Sequence, residues 1–282
     1  MMAMPMRETI DFIYVPEAPI LLAMTTLKLS FPSEGIALVT LAHPPINAMD
    51  ADLLEELSAL FEGLAADRTV RAAVISAEGS AFSAGLNLKT VPGLDRLGQR
   101  RLIDALNESF GTLYGWPKPL VAAINGHAIA GGLILALCAD WRVVADVPMQ
   151  VSLAEVRVAV TYPVAALEVA RSELSAAAAR RLMLLGETLD AAEAETLAVF
   201  DERVPAARLH EHAIAQAIRH AGLPPQAFAT IKREVRAPQL ARIGAARAGH
   251  AEPRLAAWLG EEMRRASETV LRASAAVLRG AA

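Results

Sequence analysis

Two glycine-bearing strings hold the residues best placed to do chemistry. They are Phe82-Ser83-Ala84-Gly85-Leu86-Asn87-Leu88-Lys89 and Asn125-Gly126-His127-Ala128-Ile129-Ala130-Gly131-Gly132. Each reads as a turn at which backbone amides are left bare. Two such amides aimed at one point form an oxyanion hole, which stabilises a carbonyl oxygen as it gains negative charge. The second string runs into the apolar segment Leu133 to Cys138. That segment reads as a helix, and its N-terminal amides and dipole add to the same effect. Taken alone, Gly85, Gly131 and Gly132 are better explained by tight turns or close packing.

The elements that must hold these strings follow from hydrophobic periodicity. Leu27, Leu29 and Phe31 alternate with polar residues as a half-buried strand does, and 32–35 form a turn. The run Ile36 to Leu41 reads as a strand buried on both faces. Asp50 can cap a helix on which Leu53, Leu54, Leu57, Leu60, Phe61 and Leu64 share one face. Further strands are expected at 70–76, 120–124 and 142–145, and further helices at 95–113 and 133–138. This recurrence defines an α/β class. From about residue 164 the chain reads as almost all helix. The Ala-rich stretches Ser175 to Leu185, Ala191 to Leu197, Arg208 to Arg219 and Pro253 to Leu278 are broken by Gly186, Pro205 and Pro224-Pro225. No internal sequence repeat is strong enough to use.

Bulk properties exclude several classes. The 282 residues are 54% hydrophobic with a net charge of −4. That supports a sizeable core and apolar surface for subunit contacts, and offers no basic face to nucleic acid. The single cysteine, Cys138, lies in an apolar run, reads as a buried helix residue and fits a reducing cytoplasm. No apolar run approaches the ~20 residues of a membrane span. Glu8, Asp11, Pro16 and Glu17 interrupt any signal-peptide core. Residues 1–23 are read as an N-terminal extension or a flexible tail.

Four blocks in order resemble the crotonase family, also called the enoyl-CoA hydratase/isomerase superfamily. They are Pro45-Ile46-Asn47-Ala48-Met49, Ser83-Ala84-Gly85-Leu86, Asn125-Gly126 to Gly132 ending at Cys138-Ala139-Asp140, and Val151-Ser152-Leu153-Ala154-Glu155-Val156. The likeness covers roughly residues 25 to 270. It implies a spiral of ββα units over 24–205 and a C-terminal all-helical oligomerisation region over 206–282, with trimers or hexamers as the assembly. It also implies an acyl-CoA thioester as substrate, with no metal or redox cofactor.

The resemblance assigns the two oxyanion amides to Leu86 and Gly131. Hydratases of the family typically use two glutamates. Here the first position holds Ile134, which cannot move a proton, and the second holds Glu155. Adding water across a conjugated double bond needs a group to activate water and usually a second to handle the α-carbon proton. Moving a double bond needs one base that carries a proton from C2 to C4. An apolar residue followed by a glutamate, together with Leu86 after Gly85, resembles the Δ3,Δ2-enoyl-CoA isomerases. Burial beside Ile134, Val151 and Val156 would raise the pKa of Glu155 toward neutrality.

Ala84, Gly85, Asn87, Gly132 and Ile134 complete the expected substrate pocket. Asn87, Ala154 and Ala159 stand where Asp, Pro or Asn, and Gly are frequent in the family. Tyr162 can hydrogen-bond within the site or serve the core. Lys89 and Lys232 can meet CoA phosphates or be solvated. The rivals are a hydratase, hydrolase or lyase that recruits Asp104 or Glu108 as acid, and a non-catalytic acyl-CoA-binding oligomer. His210-Glu211-His212 lacks the spacing that places two metal ligands on one helix face.

Overall fold

The computed structural model describes residues 24–87, 90–249 and 265. The element order explains the architecture. β1 (Leu27–Ser33), β2 (Ile36–Leu41) and α1 (Ala51–Ala66) form a first ββα unit. β3 (Ala72–Ala77), β4 (Ala81–Ser83) and α2 (Arg96–Tyr114) form the second. β5 (Leu120–Ile124), β6 (His127–Ile129) and α3 (Gly131–Leu137) form the third. β7 (Trp141–Ala145), β8 (Val151–Ser152) and α4 (Val164–Glu173) form the fourth. The repeat is one of structure, which is why no repeated sequence betrays it.

The remaining elements are α5 (Ala176–Ala179), which runs into a π turn over Arg180–Leu184, then β9 (Thr188–Leu189) and α6 (Ala191–Thr196). After them come β10 (Glu202–Val204), α7 (Leu209–Ala221), α8 (Pro225–Val235) and α9 (Ala237–Gly249). β9 and β10 correct the all-helix expectation after residue 164. Both are two or three residues long, too short to show a period of two. The expected helix over Pro253 to Leu278 and the extension over 1–23 lie outside the described residues.

The two strands of each later unit go to different sheets. First strands build a six-stranded sheet in the order β1-β2-β3-β5-β7-β10, parallel except for the β1–β2 pair. Second strands build a four-stranded sheet, β4-β6-β8-β9, of which the first three are parallel.

The large sheet is covered on both faces, as a parallel sheet with crossover helices must be. On β3, Ala73, Ile75 and Ala77 join the main core with Leu53, Leu57 and Phe61 of α1. The alternate residues Ala72 and Val74 join a second core with Leu209, Ala213 and Ala217 of α7. Those three sit four residues apart, one face of a helix. So the boundary expected after residue 205 falls just before a helix that closes the sheet. Asp50 caps α1 as its sequence implied, its side chain accepting from Leu53 N.

Candidate active site

Three parallel neighbours, β4, β6 and β8, end side by side. Leu86 follows β4, Gly131 follows β6 and Glu155 follows β8. Adjacent strands lie about 4.8 Å apart, so the fold gathers three of the four sequence blocks at one edge. Crevices outside the carboxyl ends of parallel strands are where open α/β sheets bind ligands.

The first block ties itself to the second. Asn47 donates from Nδ2 to the carbonyls of Glu78 and Ala81 at 2.8 and 2.9 Å. Ser83 Oγ donates to Asn47 O at 2.7 Å. Met49 N donates to Gly85 O at 2.8 Å, and Asn87 N to Met49 O at 3.3 Å. In this bridge the bonds flank Leu86, whose own N–H is left without an acceptor among the described residues. Gly131 is the first residue of α3, so its N–H has no acceptor inside the helix.

The two bare amides belong to turns in backbone contact. Gly85 takes φ +74°, and a Cβ there would lie 2.8 Å from Ile129 O and 3.2 Å from Gly131 N. A Cβ on Gly132 would lie 2.2 Å from Ser83 O. Ala130 adopts φ 50° and ψ −121°, a conformation that favours glycine. Its N–H donates to Ser152 O at 2.8 Å, which fastens this turn to β8.

Glu155 opens a single 3-10 turn over Glu155–Val158. The residue keeps some exposed surface, but its Oε2 is enclosed and has no hydrogen-bond partner. Burial pushes its carboxyl up to about 7, against the opposing pull of its own backbone amide and of Tyr162. The Tyr162 hydroxyl donates to Leu153 O at 3.1 Å and also interacts with Glu155. Burial, then the Glu155 charge, pushes the tyrosine well above its ordinary value. Ile134 is wholly buried in α3. The turn ends at Ala159 with φ +53°, a left-handed position. That is a physical reason for the glycine frequent there in the family, and Ala159→Gly is expected to stabilise the fold by about 1 kcal/mol, read in a urea titration.

Ala84, Gly85, Asn87 and Gly132 lie in this assembly. Lys89 lies outside the described residues. Lys232 is not the solvated lysine that was one of its two expected roles. It is buried on α8, with Nζ 2.7 Å from Asp140 Oδ2, and burial lowers its pKa to about 8. Asp140 follows the far end of α3, so Lys232 is a helix length from the Gly131 amide, about 10 Å. Its isolated sequence position gave no sign of this ion pair.

Asp140 also accepts from Leu120 N at 2.8 Å and pairs with Arg236 at 3.2 Å. Asp140→Ala would leave two buried cations short of a partner. We expect it to cost about 3 kcal/mol, measured as a lowered urea midpoint with an unchanged slope. Glu108, a possible alternative acid, is paired with Arg247 of α9. No cluster of metal-binding side chains occurs among the described residues. No described helix is long and apolar enough to cross a membrane.

Comparison with known proteins places this geometry in a class. The sequence profile described as "Enoyl-CoA hydratase/isomerase" matches residues 32–257. Mitochondrial enoyl-CoA delta isomerase 1 of Mus musculus is 33% identical over 181 residues, 64% of this chain and 63% of that protein. A probable enoyl-CoA hydratase of Rhizobium meliloti is 32% identical over 189 residues, 64% of this chain and 70% of that one. The crystal structure of human mitochondrial delta3-delta2-enoyl-CoA isomerase superposes with a TM-score of 0.81 at 25% identity, covering 88% of this chain and 97% of that one. The fold is therefore crotonase-like. The chain belongs to the enoyl-CoA hydratase/isomerase family, whose members carry both names at similar distance from it.

Proposed function

We propose that this chain moves a double bond in an enoyl-CoA thioester from the 3,4 to the 2,3 position. One observation carries the choice: among the described residues the site holds a single carboxylate, Glu155, whose Oε2 is enclosed and whose pKa burial raises to about 7, while Ile134 fills the other acid–base position of the hydratases. Ionised Glu155 takes a proton from C2. The electrons shift onto the thioester oxygen, which the Leu86 and Gly131 amides hold. Glu155 then returns the same proton to C4, and the new double bond lies between C2 and C3. A carboxyl near 7 suits both halves of this cycle, because the same group must take and give the proton near neutral pH.

Binding through the CoA thioester and assembly as a homotrimer or hexamer belong to the same proposal. Exposed Leu184, Leu185, Ile231 and Val235 support subunit contact. A cytoplasmic location rests on the lone thiol of Cys138, which is buried. The chemistry asks for no metal or redox cofactor.

The test offers trans-3-hexenoyl-CoA and crotonyl-CoA separately, with products resolved by chromatography and mass. Conversion of the first to the 2-enoyl ester with little hydration of the second is the expected result. Efficient hydration of crotonyl-CoA would replace this reading with the hydratase. Tight thioester binding without turnover of either would replace it with a non-catalytic binder.

A further inference from the structure

A single residue, Ala130, carries the chain from the end of β6 at Ile129 to the start of α3 at Gly131. Both polar groups of its backbone are committed. Its N–H donates to Ser152 O at 2.8 Å, which continues the β6–β8 pairing. Its C=O accepts from Leu133 N at 3.0 Å and Ile134 N at 3.1 Å, which opens the helix. A strand-to-helix turn of one residue leaves little choice of dihedral angles, and Ala130 takes φ 50° and ψ −121°. A side chain disfavours that region and glycine does not.

The strained residue is the one that aims an oxyanion amide. In a trans peptide the C=O and N–H lie on opposite edges. With the Ala130 carbonyl held by the first turn of α3, the Gly131 N–H points back out of the helix start. The methyl group makes a second connection. A Cβ on Gly85 would lie 2.9 Å from Ala130 Cβ, and a Cβ on Gly131 would lie 3.8 Å from Gly85 Cα. The Ala130 methyl therefore rests over Gly85, the residue before Leu86, where the two turns stack backbone to backbone.

We infer that Ala130 is a positioning residue for the oxyanion hole, its methyl group fixing the Ala130–Gly131 peptide in one orientation and setting the spacing between the Gly131 and Leu86 amides. The inference rests on the proposal that these two amides hold the thioester oxygen. The methyl that strains the turn also removes its freedom. Glycine at 130 relieves the strain but leaves the peptide held by its hydrogen bonds alone, with both signs of φ open. The Gly131 N–H then swings out of line with the substrate oxygen for part of the time. Donors stabilise developing charge most when they need not reorient during the reaction. Function here retains a residue that stability disfavours.

The test compares Ala130→Gly with Ala130→Ser in the full chain. Serine keeps the Cβ and glycine deletes it. Hexanoyl-CoA with an isotope-labelled thioester carbonyl has no double bond to move, and infrared difference spectra against its unlabelled form isolate the bound carbonyl band. In the native protein that band is expected below its position in water. In Ala130→Gly it is expected to move back toward that position and broaden. With it kcat on trans-3-hexenoyl-CoA falls about tenfold, a fraction of the roughly 10²–10³-fold attached to one whole donor, and KM changes little. The melting temperature of this variant is expected to equal or exceed the native value, since a positive φ suits glycine. Ala130→Ser is expected to keep the native band and nearly the native kcat.

An unmoved band or an unchanged kcat in Ala130→Gly overturns the role of the methyl, as does activity lost only in step with a lower melting temperature. Equal losses in Ala130→Ser overturn it too, because the Cβ is present there. A native band at its position in water overturns the oxyanion reading itself, and the inference with it. A band that moves as expected in a protein that hydrates crotonyl-CoA and isomerises no 3-enoyl-CoA overturns the isomerase reading and leaves Ala130 standing as a positioning residue.

Discussion

Replacing Glu155 with Gln is expected to lower kcat for 3-enoyl-CoA isomerisation by at least about 10³-fold while leaving CoA-thioester affinity within a few-fold of native. Positioned proton transfer contributes roughly 10²–10⁴-fold, and in this mechanism one group performs both transfers. Gln keeps the size of Glu but cannot accept the C2 proton. Stopped-flow turnover and calorimetric binding of a saturated acyl-CoA separate the two effects. Turnover that survives the substitution would show that another group carries the proton.

The same variant makes a second, opposite expectation about stability. The folded carboxyl titrates near 7 against an ordinary value of 4.5. Between those values the folded protein binds a proton that the unfolded chain has released. Stability from this group is therefore full below about 4.5 and is lost as pH rises to about 7. Above that, keeping a charge in this enclosed position costs up to about 3 kcal/mol. Glu155→Gln removes the cost, so it should melt higher than native at pH 8 and much like it at pH 4.5. Native kcat/KM should fall on the acid side through a midpoint near 7, because the free enzyme needs the ionised base. A variant that is inactive yet more stable at high pH is the signature of a charge held where function needs it.

Most of the scaffold was legible because its strands and helices are long enough to show a period. Ile36–Leu41 and Leu120–Ile124 occur where the apolar runs place them, and α1 buries the six residues Leu53, Leu54, Leu57, Leu60, Phe61 and Leu64 that its spacing picks out. The small sheet was not legible. β4, β6, β8 and β9 have two or three residues each, too few for alternation, and tertiary pairing alone creates them. Yet this sheet brings Leu86, Gly131 and Glu155 together.

The candidate site was readable as motif strings, since Gly85 at φ +74° and the Gly131-Gly132 pair meet backbone needs that leave a mark in sequence. Partners were less readable. Nothing local to Lys232 announces Asp140, which is 92 positions away. Tyr162 was visible only as a residue near Glu155, because its contact with Leu153 O depends on the left-handed turn at Ala159 between them.

Gly132→Ala carries the second large effect, and it tests whether close backbone packing builds the amide pair. A Cβ at this position would lie 2.2 Å from Ser83 O, 2.8 Å from Ser83 Cβ and 2.9 Å from Ser83 C. Two of those atoms are backbone, so no rotamer change relieves the overlap. Ser83 cannot retreat easily, because its Oγ donates to Asn47 O and accepts from Gly85 N. The remaining response is for the start of α3 to move away from the end of β4, which separates the Gly131 amide from the Leu86 amide. Overpacking of this kind costs about 3 kcal/mol. Losing one oxyanion donor typically costs 10²–10³-fold in kcat, so a comparable fall is expected for kcat here, measured at a temperature where circular dichroism shows the variant still folded. The separating observation is the binding of a thioester whose carbonyl frequency can be followed by Raman spectroscopy. In the native protein the paired amides should shift that band to lower frequency, and in Gly132→Ala the shift should shrink in proportion to the lost activity. A native band shift in a folded but inactive variant would place the defect outside the amide pair.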